Sequence, residues 1–224
     1  MTGIVIQARM GSSRLPQKIL MPIGKSLLLE HILFRLGYLP VEAKVIIATT
    51  VSDRDDAVKD FCRARGVDFF RGDECNVLDR YYECALHYGL TNIVRLTGDN
   101  PFPDIEELGR LIEMHASHGN DYSECFSVLP VGAGMEVFSL AALETSRRLS
   151  TQPHHFEHVN EYILENKTDF KCETLKVSEE KNRPGVRLTV DTRADYELAC
   201  RIVENASNEY ITTQEAVRLC LLFA

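Results

Sequence analysis

Residues 4–18, Ile-Val-Ile-Gln-Ala-Arg-Met-Gly-Ser-Ser-Arg-Leu-Pro-Gln-Lys, decide how this chain folds. The apolar run at residues 4–6 fits a buried strand, and small residues, two hydroxyls and three cations follow it directly. Open α/β sheets bind ligands at the carboxyl ends of their strands, and a turning backbone aims N–H groups at an anion. The candidate residues of this loop are Arg9, Gly11, Ser12, Ser13, Arg14 and Lys18. The stretch therefore predicts an α/β sheet whose first loop binds a polyanion.

Length and charge favour one acidic domain with a small anionic ligand. The chain has 224 residues, enough to bury a sizeable core, and we expect a single domain over residues 1–224. Its formal net charge is −8, which argues against nucleic acid as a partner, because neutralising a phosphate backbone needs a basic face. Local cations in an acidic protein instead indicate a small anion.

The cysteine pattern and the apolar runs indicate a cellular compartment. The seven cysteines are odd in number and scattered, without a C-x-x-C pair, which fits reduced thiols better than a disulfide framework or a zinc site. The first apolar run is too short for a signal peptide, and no stretch approaches the roughly 20 apolar residues of a membrane span. We therefore expect a cytoplasmic protein that does not bind a membrane.

Strand and helix patterns alternate through the first half of the chain. Strands are predicted at residues 44–50, 67–70 and 92–97, and helices at residues 27–39, 53–66, 77–88 and 104–118. This alternation predicts a mostly parallel sheet with right-handed crossovers.

The second half has a less regular pattern. Residues 156–165 are predicted to be helical, and residues 186–190 are predicted to return to the sheet as a strand. We interpret residues 127–184 as the acceptor-binding side and as a dimerisation region.

Two aspartates follow predicted strands at places suited to a metal ion. Asp99 comes just after residues 92–97, beside Gly98, and Asp191 comes just after residues 186–190. A carboxylate in such a position can hold Mg²⁺ against nucleotide phosphates. Each aspartate could also be the cap of the helix that follows it, a role that Thr192 or Asp195 would fill as well as Asp191.

The motif from Ala8 to Lys18, Ala-Arg-Met-Gly-Ser-Ser-Arg-Leu-Pro-x-Lys, resembles the opening signature of cytidylyltransferases that activate acidic sugars. These include the CMP-KDO synthetases and, more closely, the cytidylyltransferase-like proteins of spore-coat polysaccharide biosynthesis. The resemblance implies a three-layer, Rossmann-like nucleotide-diphospho-sugar transferase fold with a mixed, mostly parallel sheet. The chain departs from that family at Gln17, where Gly is most common, and Gln tolerates positive φ poorly.

The resemblance also implies a function and a set of site residues. The implied reaction transfers CMP from CTP to an acidic or modified sugar with release of pyrophosphate, for surface polysaccharide or glycan biosynthesis, with Mg²⁺ as cofactor and a homodimer as the expected assembly. The implied catalytic residues are Arg9, Lys18, Asp99 and Asp191, of which the two aspartates hold the metal. Nucleotide binding is assigned to Ala8, Arg9, Gly11, Ser12, Ser13, Arg14, Lys18, Arg71, Arg80 and Gly98. Sugar binding is assigned to Glu136 and His158.

Several of these assignments have structural alternatives. Arg71 and Arg80 are equally consistent with charges on a helix surface, paired with Asp79 or Glu83. His154 and His158 have the spacing of a metal pair on one helix face, but no third ligand is evident.

Other classes of protein fit the sequence less well. Gly24-Lys25-Ser26 matches the end of a P-loop, but the earlier glycine of that motif would fall at Ile19. A metal-dependent glycosyltransferase of related fold is the main rival enzyme, and Asp99-Asn100-Pro101 lacks its usual Asp-x-Asp. A catalytically silent nucleotide-binding module is the alternative outside enzymes.

Overall fold

The structure is a computed structural model that describes residues 1–223, and a seven-stranded sheet forms its centre. The strands are β1 (Thr2–Gln7), β2 (Pro22–Ile23), β3 (Ser26–Leu27), β4 (Lys44–Thr50), β5 (Asp68–Gly72), β6 (Asn92–Thr97), β7 (Tyr122–Glu124), β8 (Glu136–Ser139) and β9 (Cys172–Thr174). The order in the sheet is β5-β4-β1-β6-β8-β7-β9, and β2 pairs with β3 in a separate hairpin. The pairs from β5 to β6 are parallel, whereas β8 runs antiparallel to β6 and β7. The prediction of a mixed, mostly parallel sheet is confirmed.

Helices cover both faces of this sheet. They are α1 (Leu28–Leu36), α2 (Asp56–Arg65), α3 (Val77–Tyr88), α4 (Ile105–His118), α5 (Leu140–Leu149), α6 (Pro153–Glu157), α7 (Glu161–Glu165), α8 (Arg193–Asn205) and α9 (Thr213–Phe223). One apolar core joins the sheet to α1, α2, α4, α8 and α9, and a second core joins it to α3, α5 and α7. Because side chains alternate along a strand, Ile4 and Ile6 enter the first core while Val5 enters the second. The fold therefore has three layers.

The helix ends that were predicted from glycines are confirmed. Helix α2 ends before Gly66 and α3 ends before Gly89, and both glycines adopt a φ of +64°. A glycine reaches this left-handed conformation without the steric cost that a side chain would add, so it suits the residue after a helix.

Two predicted elements are wrong. Residues 186–190 do not join the sheet, because their N–H groups bond to loops: Leu188 donates to the carbonyl of Val131 and Val190 to that of Asp99, each at 2.8 Å. Residues 156–165 are not one helix, because His158 leaves the helical conformation between α6 and α7, with φ −112° and ψ 99°. The position of residues 186–190 affects the site, because the hydrogen bond from Val190 to Asp99 brings the next residue, Asp191, close to the end of β6.

Within residues 1–223, the second half of the chain lies in the same three layers as the first half. Residues 127–184 supply β8 and β9 to the sheet and α5 and α7 to the second core. Their proposed role in acceptor binding or dimerisation stays a prediction. Within residues 1–223, no helix combines the length and the apolar character needed to cross a bilayer.

Candidate active site

A cleft of about 630 Å³ opens at the carboxyl ends of β1 and β6. It lies where an α/β sheet is expected to bind its ligand. Most of the residues predicted from the sequence line it, namely Arg9, Ser12, Ser13, Arg14, Lys18, Gly98, Asp99, His158 and Asp191. The chain thus brings the first loop, the end of β6 and the segment before α8 to one place.

Lys18 forms the centre of this cleft. Its ammonium donates hydrogen bonds to Asp99 Oδ2 at 2.7 Å, to Asp191 Oδ1 at 3.0 Å and to the carbonyl of Val190 at 2.8 Å. Its side chain is only 8% exposed, against 25% for Asp99 and 19% for Asp191. Two carboxylates that lie about ninety residues apart along the chain therefore point at one cationic atom.

Asp191 is held by three cations. Besides Lys18, it pairs with Arg14 at 3.0 Å and with Arg187 at 2.7 Å. Burial by itself would raise the pKa of Asp191, but the hydrogen bonds from Lys18 and Arg187 outweigh it, so the pKa lies below its usual range. The carboxylate is therefore ionised, as a metal ligand must be.

Neither aspartate serves as a helix cap. The N-cap of α8 is Thr192, whose hydroxyl accepts from the N–H of Asp195 at 3.2 Å, and the N-cap of α4 is Asp104. Asp195 supports the turn, because its carboxylate accepts from the N–H groups of Asp191 and Thr192 at 3.0 and 2.8 Å. Neither carboxylate is therefore used as a helix cap, and both line the cleft, where they pair with Lys18.

The chemistry and the placement of the two aspartates suit a divalent ion. Oxygen donors suit Mg²⁺, and both carboxylates already converge on a cation, the Lys18 ammonium, within 3.0 Å. Mg²⁺ could therefore be held between them once the ammonium moves toward a bound anion.

The first loop is held in place by Asp55, a residue that was not predicted from the sequence. Asp55, which is 2% exposed, accepts from the N–H of Met10 at 2.7 Å and from the hydroxyl of Thr50. Gln17 closes the loop, with its N–H bonded to the carbonyl of Met10 at 3.1 Å. Gln17 has a φ of +63°, and no other non-glycine residue of the described chain has a positive φ. The departure at Gln17 therefore falls where the family's usual glycine would avoid strain.

Gly98 lets the end of β6 approach the first loop. A Cβ at this position would lie 3.2 Å from the carbonyl oxygen of Gln7 and 3.3 Å from the Cβ of Ala8. Neither Ala8 nor Gly11 lines the cleft, and Ala8 is instead buried against the core.

Arg71 and Arg80, which were predicted to bind the nucleotide, lie outside the lining of the cleft. Each nitrogen of the Arg71 guanidinium donates one hydrogen bond, to the carbonyls of Thr50 and Ser52 and to Asp56, at 2.7 to 2.8 Å. Arg80 is 1% exposed and donates to the carbonyl of Asp73 at 2.6 Å. Both arginines thus fix the loop after β5, and neither makes the predicted surface pair with Asp79 or Glu83.

Glu136, which was predicted to bind the sugar, does not line the cleft. It is 3% exposed, and its two carboxylate oxygens bind Arg95 and, at 2.6 Å, the hydroxyl of Tyr122. Arg95 lines the cleft in its place. The other lining residues that sequence analysis missed include Gln7, Glu74, Cys75, Thr97 and Glu157.

The three histidines near α6 lie in two different environments. His154 and His155 each contact Glu165, with Nε2 to oxygen distances of 2.7 and 2.8 Å, whereas His158 lies just after α6 and lines the cleft. His154 and His158 do not share a helix face, because α6 ends at Glu157, which agrees with setting aside a metal pair at this spacing.

A mostly parallel sheet with a cationic loop and facing carboxylates at its strand ends fits a nucleotidyltransferase. The chain belongs to the cytidylyltransferase family, whose family model matches residues 3–217.

Individual relatives agree with this family. The chain is 37% identical over 207 residues to the spore coat polysaccharide biosynthesis protein SpsF of Bacillus subtilis, which covers 90% of this chain and 86% of that protein. A solved cytidylyltransferase from Leptospira borgpetersenii superposes with a TM-score of 0.91 at 30% identity, over 99% of this chain and 94% of that chain. The solved CMP:2-keto-3-deoxy-manno-octonic acid synthetase complexed with CTP shares the fold, with a TM-score of 0.69 at 18% identity over 91% of this chain and 98% of that chain.

Proposed function

We propose that this cytidylyltransferase transfers CMP from CTP to an acidic sugar, with Mg²⁺ as cofactor and pyrophosphate as the second product. The observation that carries the proposal is the convergence of Asp99 and Asp191 on the Lys18 ammonium, beside a loop rich in cations and hydroxyls. The CTP bound to the synthetase of similar fold and the role that its name gives SpsF support a CMP-activated sugar for a surface polysaccharide.

In the proposed reaction, the first loop binds the triphosphate. Arg14 is 63% exposed on its side chain, so it can turn from Asp191 to a phosphate at little cost. Lys18 is buried, and its charge-assisted bonds to both carboxylates are exchanged for bonds to the leaving phosphates. The backbone N–H groups of Ser12 and Ser13 add further donors.

The chemical step needs no covalent enzyme intermediate. An acceptor hydroxyl forms a bond to the α-phosphorus, the bond to the β-phosphate bridge oxygen breaks, and the hydroxyl proton is lost to solvent. Mg²⁺, when held by Asp99 and Asp191, would stabilise the charge that develops on the phosphate oxygens. Arg14 and Lys18 hold the departing pyrophosphate, so the chain's own cations lower the barrier at the leaving group.

A thermal-shift panel of CTP, UTP, GTP, ATP and dTTP with Mg²⁺ tests the nucleotide. A ligand that binds only the native state raises the melting temperature, so CTP should give the largest rise. Stabilisation by a UDP-sugar in place of CTP would instead indicate the glycosyltransferase, and no response to any nucleotide would indicate the silent module.

The chemical role is tested by Asp99→Asn. This variant should bind CTP yet release pyrophosphate slower by orders of magnitude, while the matched control Asp60→Asn, on an exposed position of α2, should behave as the parent protein does. Pyrophosphate release by Asp99→Asn at the parent rate would refute the assignment.

We also propose a cytoplasmic location and a homodimer. The scattered, odd-numbered cysteines support a reducing compartment, and the seven thiols are free in the structure. Sedimentation equilibrium of the full chain would give its assembly directly.

A further inference from the structure

Two histidines and a glutamate meet where α6 and α7 come together, outside the cleft. Nε2 of His154 lies 2.7 Å from one carboxylate oxygen of Glu165, and Nε2 of His155 lies 2.8 Å from the other. One ligand atom from each of the three residues lies within 4.8 Å of the other two. None of these side chains lines the cleft, and the reaction proposed above uses none of them. The cluster is therefore a second place where groups able to bind a cation converge.

The packing of α6 against α7 fixes the direction of these side chains. The chain leaves the helical conformation at His158, and the last residue of α7, Glu165, lies beside the first turn of α6. His155 is 4% exposed, and its ring meets that of Tyr162 edge-on, with 5.5 Å between the centroids. The ring of His154 lies 4.4 Å from that of His155 and is inclined to it by 68°. Both Nε2 atoms therefore face the same carboxylate in the folded chain.

The donor atoms suit a late transition-metal ion. Two imidazole nitrogens and one carboxylate are ligands of Zn²⁺, whereas Mg²⁺ prefers oxygen alone, and three protein ligands leave a fourth position for water. Ligand atoms that share a tetrahedral Zn²⁺ lie about 3.3 Å apart, so the two histidine–glutamate contacts would lengthen by roughly half an ångström. The side chains of His154 and Glu165 are 45% and 47% exposed, so both can move that far, while the buried His155 supplies a fixed ligand.

The charges around the cluster also favour a cation. Within residues 1–223, Glu165 forms no salt bridge with a lysine or arginine, and its partners are the two imidazoles. The other cluster of possible metal ligands differs in this respect, because the Lys181 ammonium occupies it. Its members are Asp104, Glu106 and Glu107, whose oxygens accept from Lys181 at 2.6 to 3.2 Å. An ion would have to displace a buried charge there, whereas at Glu165 it replaces only ring protons.

The protonation of His155 is compatible with a metal at Nε2. A neutral imidazole carries one proton, and metal binding at Nε2 requires that proton to be on Nδ1. Nδ1 of His155 lies 3.4 Å from the backbone nitrogen of Gln152, which is longer than an ordinary hydrogen bond. Gln152 is exposed, so this weak contact is easily given up when Nδ1 takes the proton.

We propose that His154, His155 and Glu165 bind one Zn²⁺ ion per chain, with water as the fourth ligand, and that the ion joins α6 to α7. The site is structural, because the ion touches neither the nucleotide nor the reacting atoms. Helix α6 leads directly into Glu157 and His158, which line the cleft, so the ion fixes where these two residues enter it. The Zn²⁺ site thus differs in ligands, place and role from the Mg²⁺ proposed for the cleft.

Isothermal titration calorimetry of the full chain with Zn²⁺, in a buffer with a large excess of Mg²⁺, tests the site. The Mg²⁺ occupies sites made of oxygen alone and leaves the imidazole site to Zn²⁺. We expect one Zn²⁺ per chain in the parent protein. His154→Gln and Glu165→Gln should each weaken binding by at least about tenfold, because losing even a residue that only supports a metal ligand costs about 10- to 100-fold in affinity. Both side chains are nearly half exposed, so the variants should fold.

The matched control is His118→Gln. This change breaks another exposed histidine–glutamate pair, His118 with Glu173 at 2.7 Å, in which only one imidazole takes part. The control should bind Zn²⁺ as the parent protein does, and so should Asp99→Asn, which alters the cleft. Equal affinity in the parent and in both ligand variants would overturn the proposal, and loss of Zn²⁺ binding in Asp99→Asn would place the ion in the cleft instead.

Two further measurements identify the ligands and the role of the ion. Co²⁺ in place of Zn²⁺ should give an absorption spectrum without a thiolate charge-transfer band, and such a band would show that cysteines bind the ion and would overturn the proposal. Zn²⁺ should slow amide hydrogen exchange in residues 153–158, and unchanged exchange there would overturn the joining of α6 to α7. The titration needs no nucleotide and the CTP panel needs no Zn²⁺, so failure of this proposal and failure of the proposed function are distinguishable.

Discussion

Lys18→Met should turn the centre of the cleft into a tighter site for a free divalent ion, although it should abolish turnover. In the structure the ammonium lies within 3.0 Å of one oxygen from each aspartate, in the place that a metal ion would need. A divalent ion can reach both carboxylates only after this ammonium moves. Methionine fills a similar volume without the charge, so the variant leaves the two carboxylates facing each other and available.

The size of the effect follows from Coulomb's law. Two unit charges about 4 Å apart interact by roughly 4 kcal/mol at an effective dielectric constant of about 20. Lys18 is 8% exposed, so solvent screens it weakly, but Arg14 and Arg187 continue to neutralise Asp191. If these arginines leave only about 1.4 kcal/mol of that energy, the affinity for the divalent ion is still about tenfold higher than in the parent protein.

Mn²⁺ titrated without nucleotide, followed by electron paramagnetic resonance, measures this affinity directly. Lys25→Met is the matched control, because it removes one exposed lysine from the turn between β2 and β3 and changes the net charge equally. Lys18→Met should also weaken CTP, and adding Asp99→Asn should cancel the gain in Mn²⁺ affinity. Equal Mn²⁺ affinity in the parent and in Lys18→Met would refute the reasoning, and an equal gain in the control would reduce it to an effect of net charge.

Three further predictions concern stability. Lys181 is 4% exposed and bonds Asp104, Glu106 and Glu107 at 2.6 to 3.2 Å, so Lys181→Met should lower the free energy of unfolding in urea by about 3–5 kcal/mol, and a loss under about 1 kcal/mol would contradict this. Burial lowers the pKa of His115 from 6.5 to about 4, so the unfolded chain binds the proton first as pH falls. Stability should then decrease from pH 6.5 toward pH 4, by up to about 3 kcal/mol from this group, and His115→Gln should flatten the curve. Gln17→Gly should raise the unfolding free energy by about 0.5–1 kcal/mol, because it removes a left-handed side-chain conformation, and a lower melting temperature would show that φ is not the controlling cost.

The parts of the fold that are determined by residues close together in the sequence could be predicted from it. The strand at Lys44–Thr50 and the helix at Val77–Tyr88 have the predicted limits, because apolar periodicity and the following turn or glycine determine both. The first loop and Asp99 were found for the same reason, since each lies next to a strand end that the sequence reveals.

Contacts between distant residues could not be predicted in this way. Glu136 follows a pattern that suits a ligand, but it lies opposite Arg95 only because β8 runs antiparallel to β6, a pairing that no local signal specifies. Residues 186–190 have the composition of a strand, yet hydrogen bonds to Val131 and Asp99 satisfy their backbone outside the sheet. In both cases a long-range pairing overrode a local preference.

The alternation of side chains along β1 and β6 gives the cleft two chemically different sides. Residues on one face of these strands enter the first core, next to the loop that presents Lys18, and residues on the other face include Gln7 and Arg95. On one side the Lys18 ammonium is shared by two carboxylates, so it becomes available to a phosphate only when a divalent ion replaces it between them, whereas Arg95 on the other side is paired with Glu136 alone. A triphosphate would therefore be bound together with a divalent ion on the Lys18 side, whereas the Arg95–Glu136 pair presents no net charge to it.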